Sequence, residues 1–224
     1  MSCYASWLSG GSKYHSSYVQ YFLDHSPSSY MIIVDINHLY PPTEASASSA
    51  RSHWTTVKNN IFQVLQDFRN NPRVSVELIN EYVSSDFYSR MRSLVTAIRA
   101  AGYTNRLVVN KFNQPWAVIK DPLNKTYQGY HYYFNSWSVS GAISNIKIAK
   151  SMGIKLINTE AGASYNEYPY FTWSNVGRLN SFLSQAASLG VGSCVWMNCH
   201  GAYSNNYPKY KSMSLTFPTV YSPL

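Results

Sequence analysis

Short apolar, β-branched runs alternate with amphipathic stretches that close on glycine. This rhythm limits what the chain can fold into more than any other feature. The runs are MIIVDI (31–36), VSVELI (74–79), RLVVN (106–110), YQGYHYYF (127–134), IKLINTE (154–160) and GSCVWMN (192–198). Between most of them lie helical patterns. HWTTVKNNIFQVLQDFR (53–69) repeats apolar residues at Trp54, Val57, Ile61, Val64, Leu65 and Phe68. DFYSRMRSLVTAIRAAG (86–102) repeats them at Phe87, Met91, Leu94, Val95 and Ile98, then stops at Gly102, a helix C-cap signal. Residues 138–153 and 174–190 also end in glycine, and SSYVQYFLDH (16–25) predicts a further helix. Strand, helix, glycine, strand is the order of βαβ units. Strands this continuously apolar predict a parallel sheet covered on both faces. The segment 111–126, with Pro115 and Pro122, predicts a loop, as does the small and polar PPTEASASSARS (41–52).

Two architectures meet this pattern, an open doubly wound sheet and a closed (β/α)8 barrel. Neither a G-x-G-x-x-G fingerprint nor a P-loop is present, and the unusual residues lie at C-terminal ends of strands, where both folds build their sites. Six strands are countable against the eight of a closed barrel, in 224 residues against the ~250 typical of that fold. The expectation is a single (β/α) domain over residues 1–224, short at its N-terminus, with the first one or two strands missing or degenerate. SCYASWLSGGSK, near the start, is strand-like only at CYASWL. Three explanations stand: a fragment, a barrel open on that side, or a partner covering the gap, a second copy of the chain included.

Charged residues are scarce at 12% and aromatic ones abundant at 16%, with twenty tyrosines. Tyr and Trp offer flat apolar faces with a polar handle, which suits sugar or peptide surfaces as well as cores. The net charge of +8 arises largely because there are only ten carboxylates, and the basic residues are scattered. The densest stretch, Lys209-Tyr210-Lys211, is too short for a basic arm, which argues against nucleic acid as a partner. Cys3, Cys194 and Cys199 form no C-x-x-C or Cys/His zinc spacing, and an odd count marks no disulfide framework. No apolar run approaches the ~20 residues of a membrane helix, and the first twenty residues lack the order of a signal peptide. The Ser/Tyr/Asn-rich surface composition suits a secreted protein.

The ten carboxylates can be sorted by place. Asp24, Glu44, Asp67, Asp86 and Glu167 fall on helices or in loops, and Asp121 precedes Pro122 in a turn. Asp35, Glu77, Glu81 and Glu160 fall in or at the ends of strands. Glu81 and Glu160 each follow a strongly apolar strand and precede a loop. Two carboxyl groups across the mouth of a barrel would form an acid/base or acid/nucleophile pair, the requirement for hydrolysing a glycosidic bond. The bland alternative is that Glu81 caps the following helix and Glu160 pairs with Lys155 or Arg178.

The stretch VELINE resembles the fourth-strand motif of the clan of (β/α)8 retaining glycoside hydrolases, most closely that of glycoside hydrolase family 5, the cellulases and mannanases. That motif reads apolar-Glu-x-x-Asn-Glu, usually followed by Pro. Glu77, Asn80 and Glu81 match it, and Tyr82 replaces the proline. GYHYYF resembles the sixth strand, INTEAG the seventh and CVWMN the eighth. By this alignment MIIVDI is strand three, so strands one and two are the missing ones. The resemblance implies Glu81 as general acid/base and Glu160 as nucleophile. It implies Asn80 as the partner of the sugar 2-hydroxyl, His131 lining the site, Tyr133 hydrogen-bonded to the nucleophile and Trp196 as a platform under the sugar. Asn37-His38 is the nearest approximation to a His pair found after strand three in the family. The Arg that ends strand two in the family has no counterpart before residue 51.

The resemblance therefore implies a retaining hydrolase of internal β-1,4 bonds in a plant-type polysaccharide, glucan first and mannan as the alternative, working without metal or cofactor. Retention predicts carboxyl groups about 5–5.5 Å apart. Two other readings stand beside it: a non-catalytic carbohydrate-binding remnant barrel, and an unrelated α/β enzyme. Trp137, Tyr165, Tyr168, Tyr170 and Trp173 are either further sugar subsites or loop packing. His131 with His38 or His200 lacks the H-x-H spacing of a metal site.

Overall fold

The computed structural model describes residues 2–4, 16–35, 44–111, 116–134, 136–162 and 173–195. The chain divides into two compact units, Met1–Gly129 and Tyr130–Leu224.

In the first unit the strands β1 (Ser2–Tyr4), β2 (Ile32–Asp35), β3 (Val74–Glu77) and β4 (Arg106–Asn110), and the beginning of β5 (Thr126–Tyr133), pair in chain order. Every one of these pairings is parallel. The helices α1 (Ser16–His25), α2 (Glu44–Ser52), α3 (Trp54–Asp67) and α4 (Phe87–Ala100) fill the connections. Every residue of β2 and β3 is buried, as expected of a parallel sheet covered on both faces. The buried stripes are Val57, Ile61, Val64 and Leu65 on α3, and Phe87, Met91, Leu94, Val95 and Ile98 on α4. Both have the predicted helical period, and each such side chain contributes about 1.5–3 kcal/mol by leaving water. Gly102 ends α4 at a φ of 80°, where a side chain would be strained.

Two expectations about this half are corrected. The segment 41–52 is not all loop, because α2 occupies Glu44–Ser52. Its buried face is made of Ala47 and Ala50, small residues whose helical spacing carries little hydrophobic signal. Asp121 also does more than form a turn. Its carboxylate takes a two-pronged ion pair from the Arg99 guanidinium at 2.9 and 2.8 Å, and accepts from the Leu123 and Lys125 amides and the Thr126 hydroxyl. Burial alone would raise this carboxyl's pKa. Arg99 and the other donors outweigh it and hold the group well below the usual carboxylate range. At the start of β3, Arg73 donates to the main-chain oxygens of Leu23, Ser26, Pro27 and Tyr30, so that one guanidinium fixes the exit of α1.

In the second unit the end of β5 lies next to β6 (Leu156–Gly162), and β6 next to β7 (Ser193–Val195). The helices α5 (Val139–Ser151) and α6 (Trp173–Ser188) supply the connections. The Ser138 hydroxyl accepts from the Gly141 amide and caps α5. Phe182 of α6 lies 5.6 Å from the Tyr132 ring and 5.0 Å from that of Phe134, forming an aromatic core. Burial pushes the Tyr132 hydroxyl's pKa up to about 12. Between Asn158 and Ala161 the β6–β7 register slips: three steps on β6 face two on β7, from Ser193 to Val195. The extra residue is a β-bulge, and it falls on the Thr159–Glu160 step.

Candidate functional site

The first group of site residues lies where β3 ends. The ladder continues one step past Glu77, with the Leu78 amide donating to the Val108 carbonyl. It resumes at Tyr82, which bridges to Lys111 and whose amide donates to the Asn110 carbonyl at 3.3 Å. From Glu77 to Tyr82 the chain advances five residues while its neighbour advances three, from Val108 to Lys111. Asn80 and Glu81 occupy this excursion, both buried. Glu81 has a φ of 47°, in the left-handed region. For a non-glycine residue that costs about 1–3 kcal/mol and persists only where the surroundings over-determine it. Here the pinned Tyr82 does so. Its ring is fully buried, 6.1 Å from that of Phe87.

Glu81 does not cap the next helix, because the N-cap of α4 is Asp86. Asp86 makes no side-chain cap hydrogen bond and pairs with Arg90. Burial works against its ionisation, but the Arg90 partnership prevails and lowers its pKa. Arg51 of α2 donates to the Ser84 hydroxyl at 2.8 Å, so the residues after Glu81 are tied down on both sides.

Around Asn80 lies a buried amide–carboxylate chain. The Asn110 side-chain nitrogen donates to Glu77 Oε1 at 2.9 Å and to Asn80 Oδ1 at 3.2 Å. Glu77 is also the register partner of Asp35, another buried carboxyl group.

The second group belongs to β5 and β6. His131 and Tyr133 stand two residues apart, hence on one face of β5. Both reach Glu160 Oε2: the Tyr133 hydroxyl donates to it, and His131 Nδ1 lies 3.3 Å away. His131 Nε2 lies 3.0 Å from Thr159 Oγ1, and this contact at the far nitrogen fixes the ring. Glu160 is 3% exposed, and it sits on the bulged step of β6. Bulges of this kind re-aim side chains near functional sites. Arg178 of α6 donates to the Phe134 carbonyl.

Thus Asn80 and Glu81 share one excursion of the first unit, and His131, Tyr133 and Glu160 form one cluster in the second. Asn37, His38 and Trp196 lie outside the described residues, as do Tyr165, Tyr168 and Tyr170. Trp137 is exposed, and its ring lies 5.1 Å from that of Tyr132 in an edge-to-face arrangement. Cys194 is a buried free thiol. Asn110 and Thr159 were not candidates from sequence. Asn110 closes an apolar strand, the same position that drew attention to Glu81 and Glu160, so that signal was available.

A family model described as Cellulase (glycosyl hydrolase family 5) matches residues 18–202. No match is found among curated proteins. Solved structures are similar at low identity. A family 5 cellulase from an Icelandic hot spring isolate is 18% identical with a TM-score of 0.59, over 74% of this chain and 56% of its own. A broad-specificity endoglucanase from an uncultured bovine rumen ciliate is 15% identical with a TM-score of 0.68, over 87% of this chain and 72% of its own. The mannohexaose complex of a Thermomonospora fusca β-mannanase is 19% identical with a TM-score of 0.60, over 87% and 67%. The chain spans little more than half the length of the hot spring cellulase. The fold is α/β, a shortened form of the (β/α)8 barrel type.

Proposed function

Because the chain belongs to glycoside hydrolase family 5, we propose that it is a retaining endo-glycosidase that cleaves β-1,4 bonds in a plant-type polysaccharide, a glucan before a mannan, with residues 1–224 as one catalytic domain. The observation that carries this reading is common to two carboxyl groups. Glu81 and Glu160 are each buried, and each sits on an irregularity of a parallel ladder, toward the C-terminal side of its strand. A regular strand needs neither irregularity.

In the first step Glu81 gives its proton to the glycosidic oxygen while Glu160 attacks the anomeric carbon. The C–O bond to the leaving sugar breaks and a glycosyl ester forms on Glu160. In the second step Glu81 takes a proton from water, the water oxygen attacks the anomeric carbon, and Glu160 leaves as carboxylate. The Tyr133 hydroxyl and His131 at Glu160 Oε2 support the nucleophile's role, since they hold the carboxyl group in one orientation. Asn80 would donate to the sugar 2-hydroxyl, with Trp196 beneath the ring and Asn37 and His38 at the rim. Two carboxyl groups and water supply every proton the reaction moves. The substrate makes secretion the natural setting. Among the described residues no helix is long and apolar enough to cross a membrane.

The test is release of reducing ends from carboxymethyl-cellulose, glucomannan and xylan by the wild type, Glu81→Gln and Glu160→Gln, with proton NMR of the first-formed anomer. Cleavage of one polymer with retained configuration, lost in both variants, is the expected result. Inverted configuration would sink the mechanism. The second reading, a carbohydrate-binding remnant, draws support from the short span relative to the hot spring cellulase. A folded, inert wild type that still binds oligosaccharides would favour it.

A further inference from the structure

We propose that Asn110 is a positioning residue that sets the direction of the Asn80 side-chain amide, with Glu77 as the fixed end of the chain. The proposal rests on the functional reading above, in which Asn80 meets substrate. Glu77, Asn110 and Asn80 are each at most 1% exposed, so solvent does not compete for their hydrogen bonds. One nitrogen, Asn110 Nδ2, serves both neighbours and has one hydrogen for each: Glu77 Oε1 at 2.9 Å and Asn80 Oδ1 at 3.2 Å.

The direction of this chain follows from its carboxyl end. The Glu77 oxygen facing Asn110 accepts, so Asn110 must turn its NH2 toward it. With the Asn110 amide reversed, an oxygen would face two oxygens in a buried place, where such a mismatch is costly. The Asn110 NH2 in turn calls for an oxygen from Asn80. Asn80 must therefore direct Oδ1 at Asn110 and its own NH2 elsewhere, which makes it a donor toward a sugar hydroxyl. Without Asn110 the Asn80 Oδ1 loses this donor, and a reversed amide would offer an acceptor toward the sugar instead. Asn110 touches no reacting atom in this scheme and acts through Asn80.

The test uses Asn80→Ala, Asn110→Ala, the double variant and Glu77→Gln on the full chain. Alanine at 110 keeps the main-chain carbonyl that Tyr82 uses. Glu77→Gln keeps the shape of Glu77 and is the second probe if the alanine variant unfolds, as judged by thermal melts. On the polymer the wild type cleaves, Asn110→Ala and Glu77→Gln should lower kcat about tenfold with KM nearly unchanged. The double variant should be no slower than Asn80→Ala alone. Additive losses, or full activity in Asn110→Ala, would overturn the proposal. If the wild type cleaves none of the polymers, the functional reading fails, and crystal structures of Asn110→Ala and Glu77→Gln still decide the positioning. An Asn80 amide that leaves its plane or splits into two conformers supports the role, and one that stays put in both overturns it.

Discussion

Asp121 and Glu160 both carry carboxyl side chains that are largely shut off from solvent, and their surroundings are opposite in kind. Asp121 meets a guanidinium, two main-chain amides and a hydroxyl. A guanidinium stays charged across the working pH range and holds Asp121 ionised at neutral pH, so the pair behaves as a rivet. Glu160 meets a phenol and an imidazole. Both of those partners can donate a hydrogen bond without carrying a fixed charge, which is the setting that the proposed nucleophile needs. Glu81 is a third case: it stands on a left-handed backbone turn just ahead of the pinned Tyr82. A carboxylate's role is thus read from what its partners can do with their protons, not from burial alone.

The sharpest way to break this contrast is Glu160→Gln, which should cut turnover at least roughly a thousandfold in the reducing-end assay while leaving the thermal melt close to wild type. A variant that melts early and keeps turnover would make Glu160 a structural group like Asp121. The reciprocal change, Asp121→Asn, should cost about 3 kcal/mol of stability at pH 7, because it leaves Arg99 buried without its partner. The sign follows from the lowered pKa of Asp121. Its stabilisation is complete above the unfolded value near 4, and is lost as pH falls through that value toward the folded one. Urea melts of both proteins should therefore differ most near neutrality and converge below about pH 4. A constant difference across this range would detach the effect from ionisation.

Tyr133→Phe should lower kcat about tenfold, since it removes one donor from Glu160 Oε2 and leaves His131 in place. An unchanged rate would move the hold on Glu160 to His131. The smallest effect expected is Glu81→Asn, which should gain about 1 kcal/mol in denaturant melts, because Asn accepts the left-handed backbone more readily than Glu. A loss of stability there would mean that the Glu81 side chain, rather than its backbone, holds the excursion together.

Much of the fold was legible because its signals are local. The apolar period of residues 53–69 and 86–102 predicted α3 and α4 to within a few residues. The helix at Glu44–Ser52 was not, since alanine and serine bury a face without advertising one. The strand at Ser2–Tyr4 was visible only as a weak tendency. For the site, position at a strand end singled out Glu81 and Glu160, and the family resemblance singled out Asn80, His131 and Tyr133. What held these groups was not legible. Asn110 reaches back 33 residues to Glu77 and 30 to Asn80, and Arg99 reaches 22 forward to Asp121. The slips in register that carry both glutamates arise from comparing two strands, and a single strand's pattern contains no trace of them.

The tyrosine at position 82 restricts what this position can hold. It stands where the family motif usually has proline, and it has taken on duties proline cannot perform. Its amide donates to Asn110, and its ring fills a closed space beside Phe87. Tyr82→Pro would delete a main-chain donor and leave a ring-sized hole beside Phe87, so the change would cost both a hydrogen bond and packing.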